Sequence, residues 1–180
     1  MFDYVIGDQL KMRIIEKRHA QEFYDLIDGN REHFGRWLTW IHGIEAVADA
    51  GAFIQRYLNK YADSSGILVG LWHMNTLVGA ILIREIDHSV KCSEIGYFID
   101  QRCQGRGWAT QMCRAMIAYI FEELGMNKIA VQCASGNDRS ISLPKRLNFR
   151  HEGTIRQSYN LNNEYVDVHI YGLLKSEYKG

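Results

Sequence analysis

Hydrophobic positions follow two different periods along the chain, and the changes between them predict the order of the elements. Apolar residues spaced three and four apart predict helices over residues 20–28, 45–61 and 108–124. A shorter helix is predicted over residues 140–147. Apolar runs bounded by turn residues predict seven strands, over residues 9–15, 66–74, 77–86, 93–99, 128–133, 152–158 and 165–173.

This order predicts an α/β fold with a mixed, mostly antiparallel sheet and about four helices. A chain of 180 residues with 47% hydrophobic content fits one domain over residues 1–180. No linker, repeat or low-complexity tract divides it.

The most informative segment is the strand over 93–99 with the loop and helix that follow it. The loop reads R-x-x-G-x-G from Arg102 to Gly107. Gly105 and Gly107 let a ligand approach the backbone, and the N–H groups at a helix start suit a pyrophosphate. The alternative is a plain strand-to-helix turn. Thr110 occupies the third-glycine position of a Rossmann loop, and no Gly-Lys-Ser/Thr of a Walker loop follows.

This loop, placed after a strand, resembles the acetyl-CoA-binding motif of the GNAT family of N-acetyltransferases. A second stretch, from Asn137 through Ser140 to Phe149, is similar to the family's N-x-x-S motif. Residues 10–16 and 165–171 also match, and the Rim-type N-terminal acetyltransferases of ribosomal proteins are the most similar subgroup. The resemblance implies acetyl-CoA as co-substrate and a sheet that splays near Ile99.

The resemblance also implies a cofactor site. The phosphates are expected on the amides from Gln104 to Thr110, and a backbone N–H near Phe98 or Ile99 is expected to polarise the thioester carbonyl. The expected cofactor-binding residues are Phe98, Ile99, Gln104, Gly105, Arg106, Gly107, Trp108, Ala109, Thr110 and Asn137.

Ser140 is the predicted partner of the leaving thiolate, because a hydroxyl can assist departure of a thiol with a pKa near ~8.5. The alternative is that Ser140 caps the following helix. Many GNAT enzymes have a tyrosine four residues after this serine, where this chain has Pro144. The Rim-type subgroup also lacks that tyrosine.

A general base is less evident. Rim-type enzymes can carry a glutamate at the position of Tyr159, which leaves Glu94 and Glu164 as candidates, acting through water. A sheet salt bridge is the alternative for Glu94. Trp37 and Trp40 lie in an apolar segment over residues 31–43 and are predicted either as core or as a wall of the acceptor cleft, which Tyr159 and Glu164 would also line.

Composition and residue spacing give no support for several other classes of function. With 21 basic and 21 acidic residues, nothing favours stable binding of nucleic acid or membranes. The Cys and His spacings give no metal site, and no signal peptide or bilayer-length apolar run is visible, so a cytoplasmic protein is expected.

The predicted activity is acetyl transfer to a primary amine, with a protein N-terminus as the leading acceptor. A small amine (a polyamine, amino-acid derivative or aminoglycoside) and a non-catalytic acyl-CoA-binding module are the alternatives. A homodimer is expected from the resemblance alone.

Overall fold

One sheet of eight strands organises the computed structural model, which describes residues 3–7 and 9–180. The strands are β1 (Asp3–Gly7), β2 (Leu10–Ile14), β3 (Ile67–His73), β4 (Thr76–Asp87), β5 (Cys92–Ile99), β6 (Lys128–Ala134), β7 (Arg150–Leu161) and β8 (Glu164–Leu174). The α-helices of the same residues are α1 (Ala20–Asp28), α2 (Arg31–Gly35), α3 (Val47–Ala62), α4 (Trp108–Ala118) and α5 (Asp138–Arg146).

The α/β class is confirmed, but the sheet has one strand more than the seven predicted. Its order is β1-β2-β3-β4-β5-β6-β8-β7. The additional strand, β1, is an edge strand that pairs with β2. Its Tyr4 and Val5 are 50% and 65% exposed, so no buried face marks it in the sequence. Of the predicted first strand, Gln9 and Ile15 fall outside β2.

The two faces of the sheet carry separate apolar cores. Helix α4 packs on one face, in a core that includes Ile95 and Ile99 of β5. Helices α1 and α3 pack on the other face, in a core that includes Phe98. Successive residues of β5 thus point to opposite cores, which fixes the orientation of this strand.

The helix predicted over residues 108–124 is present and changes its winding near the end. Helix α4 continues into a π-helical turn, Tyr119–Glu123, in which the Leu124 N–H donates to the Tyr119 carbonyl at 3.0 Å. Gly125 follows with φ +65°, as expected for the residue after a helix.

The sheet opens between β5 and β6. These strands run parallel and pair from Cys92 with Lys128 to Ile95 with Val131, their last pair among the described residues. Beyond it β5 stays paired with β4, while β6 stays paired with β8. The predicted splay near Ile99 is therefore present and begins already after Ile95.

Candidate active site

The end of β5 presents its backbone to the opening. The Asp100 N–H donates to the Val78 carbonyl at 2.8 Å, so this amide points towards β4. Because backbone groups alternate in direction along a strand, the Ile99 N–H points the other way, into the opening. Phe98 and Ile99 are 7% and 9% exposed, so their side chains belong to the two cores. Of the two predicted positions, Ile99 is the one whose N–H faces the opening.

The loop after β5 has the backbone of an anion-binding turn. Gly105 and Gly107 adopt φ values of +77° and +76°, and Gly107 is the residue before α4. A β-carbon built on either glycine meets no atom of the described residues within 4 Å. The space beside both glycines and the first amides of α4 therefore fits the pyrophosphate of acetyl-CoA.

Asp100 holds the start of this loop. Its buried carboxylate accepts hydrogen bonds from the Arg102 backbone N–H at 2.8 Å and from Arg102 Nη2 at 2.6 Å. These bonds from Arg102 lower the pKa of Asp100 below its usual value. The Asn30 Oδ1 accepts from the Gln101 N–H at 2.9 Å, which ties the loop to the end of α1. The arginine of the R-x-x-G-x-G pattern thus stabilises the loop through Asp100.

The Gln104 side chain connects three elements around the opening. Its amide nitrogen donates to His33 Nε2 of α2 at 2.7 Å, and its Oε1 accepts from Arg139 of α5. Burial, and then the positive charges of Arg139 and Arg36, lower the pKa of His33. His33 is therefore neutral near pH 7 and can accept this hydrogen bond.

The other predicted cofactor residues of this loop lie just before or at the start of α4. The Arg106 guanidinium lies 5.0 Å from the centre of the Trp108 ring. Ala109 packs against the α4 core, and the Thr110 hydroxyl accepts from Arg146 Nη1 at 3.0 Å. The Ala109 and Thr110 side chains are engaged within the protein, so the groups these two residues offer a cofactor are backbone amides.

Ser140 is the third residue of α5 and is not its cap. Asn137 is the N-cap, and its Oδ1 accepts from the Ser140 N–H at 3.2 Å. The predicted helix start at residue 140 was wrong, because α5 begins at Asp138. The Ser140 hydroxyl lies 3.4 Å from Cys133 Sγ, and Tyr97 OH donates to the Ser140 carbonyl at 3.0 Å. The capping alternative for Ser140 is thereby excluded.

Glu94 forms an ion pair with Arg84. Its carboxylate accepts from Arg84 Nη1 at 2.7 Å and from Gln132 Nε2 at 3.1 Å, with the side chain 20% exposed. This is the salt-bridge alternative stated above. Glu164, the other candidate base, is exposed at the first position of β8.

The segment over residues 31–43 closes against the β7–β8 hairpin. Tyr159 OH lies 2.9 Å from Thr39 Oγ1, and Asn162 Nδ2 donates to the Gly35 carbonyl at 3.3 Å. Trp37 lies against Gly136, whose added β-carbon would sit 3.7 Å from the indole. Trp40 instead stacks on Phe53 in the core, with ring centres 4.6 Å apart. The core interpretation therefore fits Trp40, and the wall interpretation stays a prediction for Trp37.

Sequence reasoning missed Tyr97, Cys133 and Asn30. The alternation of β5 and β6 indicates that Tyr97 and Cys133 share a face, but the partner of each depends on where α5 starts. Asn30 follows α1 in no recognisable motif, yet it is 5% exposed and bonded to the loop.

Metal chemistry finds no support in the part of the chain that the structure describes. No group of three His, Cys, Asp or Glu side chains there could hold a metal ion. None of the helices in residues 3–7 and 9–180 has the length and apolarity needed to cross a membrane.

Comparisons with known proteins agree with this geometry. The acetyltransferase (GNAT) domain family matches residues 9–150. YdaF of Bacillus subtilis (strain 168), named as a candidate ribosomal N-acetyltransferase, is 34% identical over 100% of this chain and 99% of its own. The ribosomal-protein-serine acetyltransferase of Escherichia coli (strain K12) is 24% identical over 92% and 93%.

A solved structure shares the fold almost throughout. It is RimL, a ribosomal L7/L12 alpha-N-protein acetyltransferase in complex with coenzyme A, which superposes with a TM-score of 0.94 at 20% identity over 98% of this chain and 99% of its own. The family match spans most of the chain, and the splayed strands and glycine loop are present in the structure. This protein therefore belongs to the GNAT family and is an acetyl-CoA-dependent N-acetyltransferase.

Proposed function

We propose that the acceptor is the N-terminal α-amine of a protein, of the ribosomal kind. The observation that carries this proposal is the ion pair of Glu94 with Arg84, because it engages a carboxylate that was a candidate general base. An enzyme without a strong base favours amines that are already partly neutral. The names of YdaF, the Escherichia coli enzyme and RimL point to the same class of acceptor.

The energetic difference between acceptors is large. An α-amine with a pKa near ~8 is roughly one-tenth neutral at pH 7, a cost of about 1.4 kcal/mol. A lysine ε-amine with a pKa near ~10.4 must spend more than ~4 kcal/mol to become neutral at the same pH.

The reaction then needs only groups that this chain supplies. Acetyl-CoA binds along the open edge of β5, with its pyrophosphate on the loop over residues 104–110 and its thioester carbonyl on the Ile99 N–H. The neutral amine attacks the carbonyl carbon, the new C–N bond forms, and the C–S bond breaks as the tetrahedral intermediate collapses. The amine's surplus proton leaves to solvent, and the departing sulfur receives its proton with help from the Ser140 hydroxyl.

Several features of this function stay predictions. They are a single domain over residues 1–180, a cytoplasmic location, a homodimer, and acceptor contacts from Trp37, Tyr159 and Glu164.

Acceptor choice is tested by following release of the coenzyme A thiol with matched acceptors at pH 7. The acceptors are a peptide with a free N-terminus and no lysine, its N-blocked lysine-containing counterpart, and spermidine. We expect turnover with the first and at least tenfold slower turnover with the others. Preference for spermidine would support the small-amine alternative. Acetyl-CoA binding without turnover on any acceptor would support the regulatory module.

A further inference from the structure

The carbonyl of Ser140 lacks its usual helical donor. In an α-helix this carbonyl accepts from the N–H four residues later, and here that residue is Pro144, which has no N–H. The ring of a proline also crowds the carbonyl four residues before it. The Ser140 carbonyl can therefore accept a hydrogen bond from a group outside α5.

Tyr97 supplies that partner. Its hydroxyl donates to the Ser140 carbonyl at 3.0 Å from β5, on the far side of the opening. Since β5 and β6 last pair at Ile95 with Val131, the next residues on the same face are Tyr97 and Cys133. The phenol therefore bridges the two strands just where they separate and reaches the helix that follows β6.

Cys133 meets the hydroxyl of the same serine. Its sulfur lies 3.4 Å from Ser140 Oγ, and the Cys133 residue is only 2% exposed. Burial raises the pKa of both the Cys133 thiol and the Tyr97 phenol, so each keeps its proton near neutral pH. Either group can donate in this contact. In the arrangement in which the thiol donates to Ser140 Oγ, the serine's own hydrogen is directed elsewhere.

We propose that Tyr97 and Cys133 are positioning residues that aim the Ser140 hydroxyl at the leaving sulfur. Tyr97 holds the backbone through the carbonyl that Pro144 leaves free, and Cys133 holds the hydroxyl. This inference rests on the role proposed for Ser140 and is independent of which amine accepts the acetyl group.

The test combines Tyr97→Phe with changes at Pro144 and Ser140 and measures kcat and KM for acetyl-CoA. Tyr97→Phe should lower kcat about five- to tenfold and leave KM within about twofold, because it removes one hydrogen bond. Pro144→Ala introduces an N–H that can donate to the Ser140 carbonyl, so adding it to Tyr97→Phe should recover most of the lost kcat. In a Ser140→Ala background, Tyr97→Phe should lower kcat less than about twofold.

Matched controls separate positioning from general stability. Tyr178→Phe removes a tyrosine hydroxyl that donates to Glu122 Oε1 at 3.1 Å, and should leave kcat unchanged. Cys133→Ala should lower kcat, whereas Cys133→Ser, which retains a donor, should retain most of it; this pair serves if Tyr97→Phe fails to fold.

The inference is overturned if Tyr97→Phe keeps the parental kcat, if Pro144→Ala gives no rescue, or if the loss is the same with and without Ser140. It is also overturned if Ser140→Ala itself leaves kcat unchanged. That last outcome leaves the acceptor proposal intact, because the preference of the unsubstituted enzyme for a free N-terminus is measured separately.

Discussion

Gly105 and Gly107 meet a requirement that few other residues could meet, because both adopt positive φ beside open space. A valine at either position strains the backbone and puts a branched side chain where the phosphates meet the amides. We expect Gly105→Val and Gly107→Val to weaken acetyl-CoA binding by roughly 10- to 100-fold, measured by calorimetry.

Gly125 provides the matched control. Its φ is +65° and its β-carbon position is equally open, but it lies at the other end of the helix that starts at Trp108. Gly125→Val should lower the melting temperature by a similar amount and leave acetyl-CoA affinity unchanged. If all three variants bind acetyl-CoA like the parent, the loop glycines have only a turn role.

Residue roles in α5 illustrate a limit of the sequence. Asn137 and Ser140 are both good helix caps, so the N-x-x-S spacing alone cannot tell which one caps. The answer depends on where the helix starts, which sequence patterns locate least reliably. Because α5 begins at Asp138, Ser140 lies inside the helix and does not cap it. Pro144 then occupies the position whose N–H would otherwise donate to the Ser140 carbonyl.

Among elements, β5, its loop and α4 were predictable because their signals are local. The period of apolar residues changes from two to between three and four across the glycines, and this change predicts a strand, a turn and a helix. The bond from Gln101 to Asn30 joins residues 71 apart in the chain, and no local pattern indicates it. β1 escaped prediction for a different reason, since an exposed edge strand need not show alternation.

The loop between β5 and α4 should be sensitive to acid through Asp100. Hydrogen bonds from Arg102 lower the pKa of Asp100 in the folded state, whereas the unfolded value is near ~3.9. The resulting stability is fully present above about pH 4 and is lost as the pH falls through the lowered folded value. Asp100→Asn should therefore lower the melting temperature at pH 7 and flatten its fall below about pH 4.

Asp25→Asn is a suitable control for this measurement, because Asp25 is an exposed carboxylate of α1 that accepts from Gln21 within the same helix. Its melting curve should follow the parent at every pH. Equal acid limbs for the parent and Asp100→Asn would show that Asp100 does not stabilise the loop through its charge.

For the whole molecule, the proposed acceptor side is assembled from segments that are far apart in sequence. Thr39 and Tyr159, which are 120 residues apart, meet across the cleft, and Gly35 meets the hairpin turn through Asn162. Contacts of this kind depend on the complete sheet order, so the family resemblance indicated the cleft while the residues alone left Trp37 and Trp40 undecided.

The ion pair of Glu94 determines how the reaction rate should depend on pH. With Glu94 paired to Arg84, ionisation of the acceptor amine is expected to limit the reaction. The rate with a free-N-terminus peptide should rise with pH and level off near pH 8, whereas the rate with its N-blocked, lysine-containing counterpart should keep rising to about pH 10. Initial rates of both peptides between pH 6 and pH 10, at saturating acetyl-CoA, measure this difference. A lysine peptide whose rate levels off near pH 7 would show that a carboxylate deprotonates it efficiently, either the exposed Glu164 or a Glu94 that leaves Arg84 during turnover.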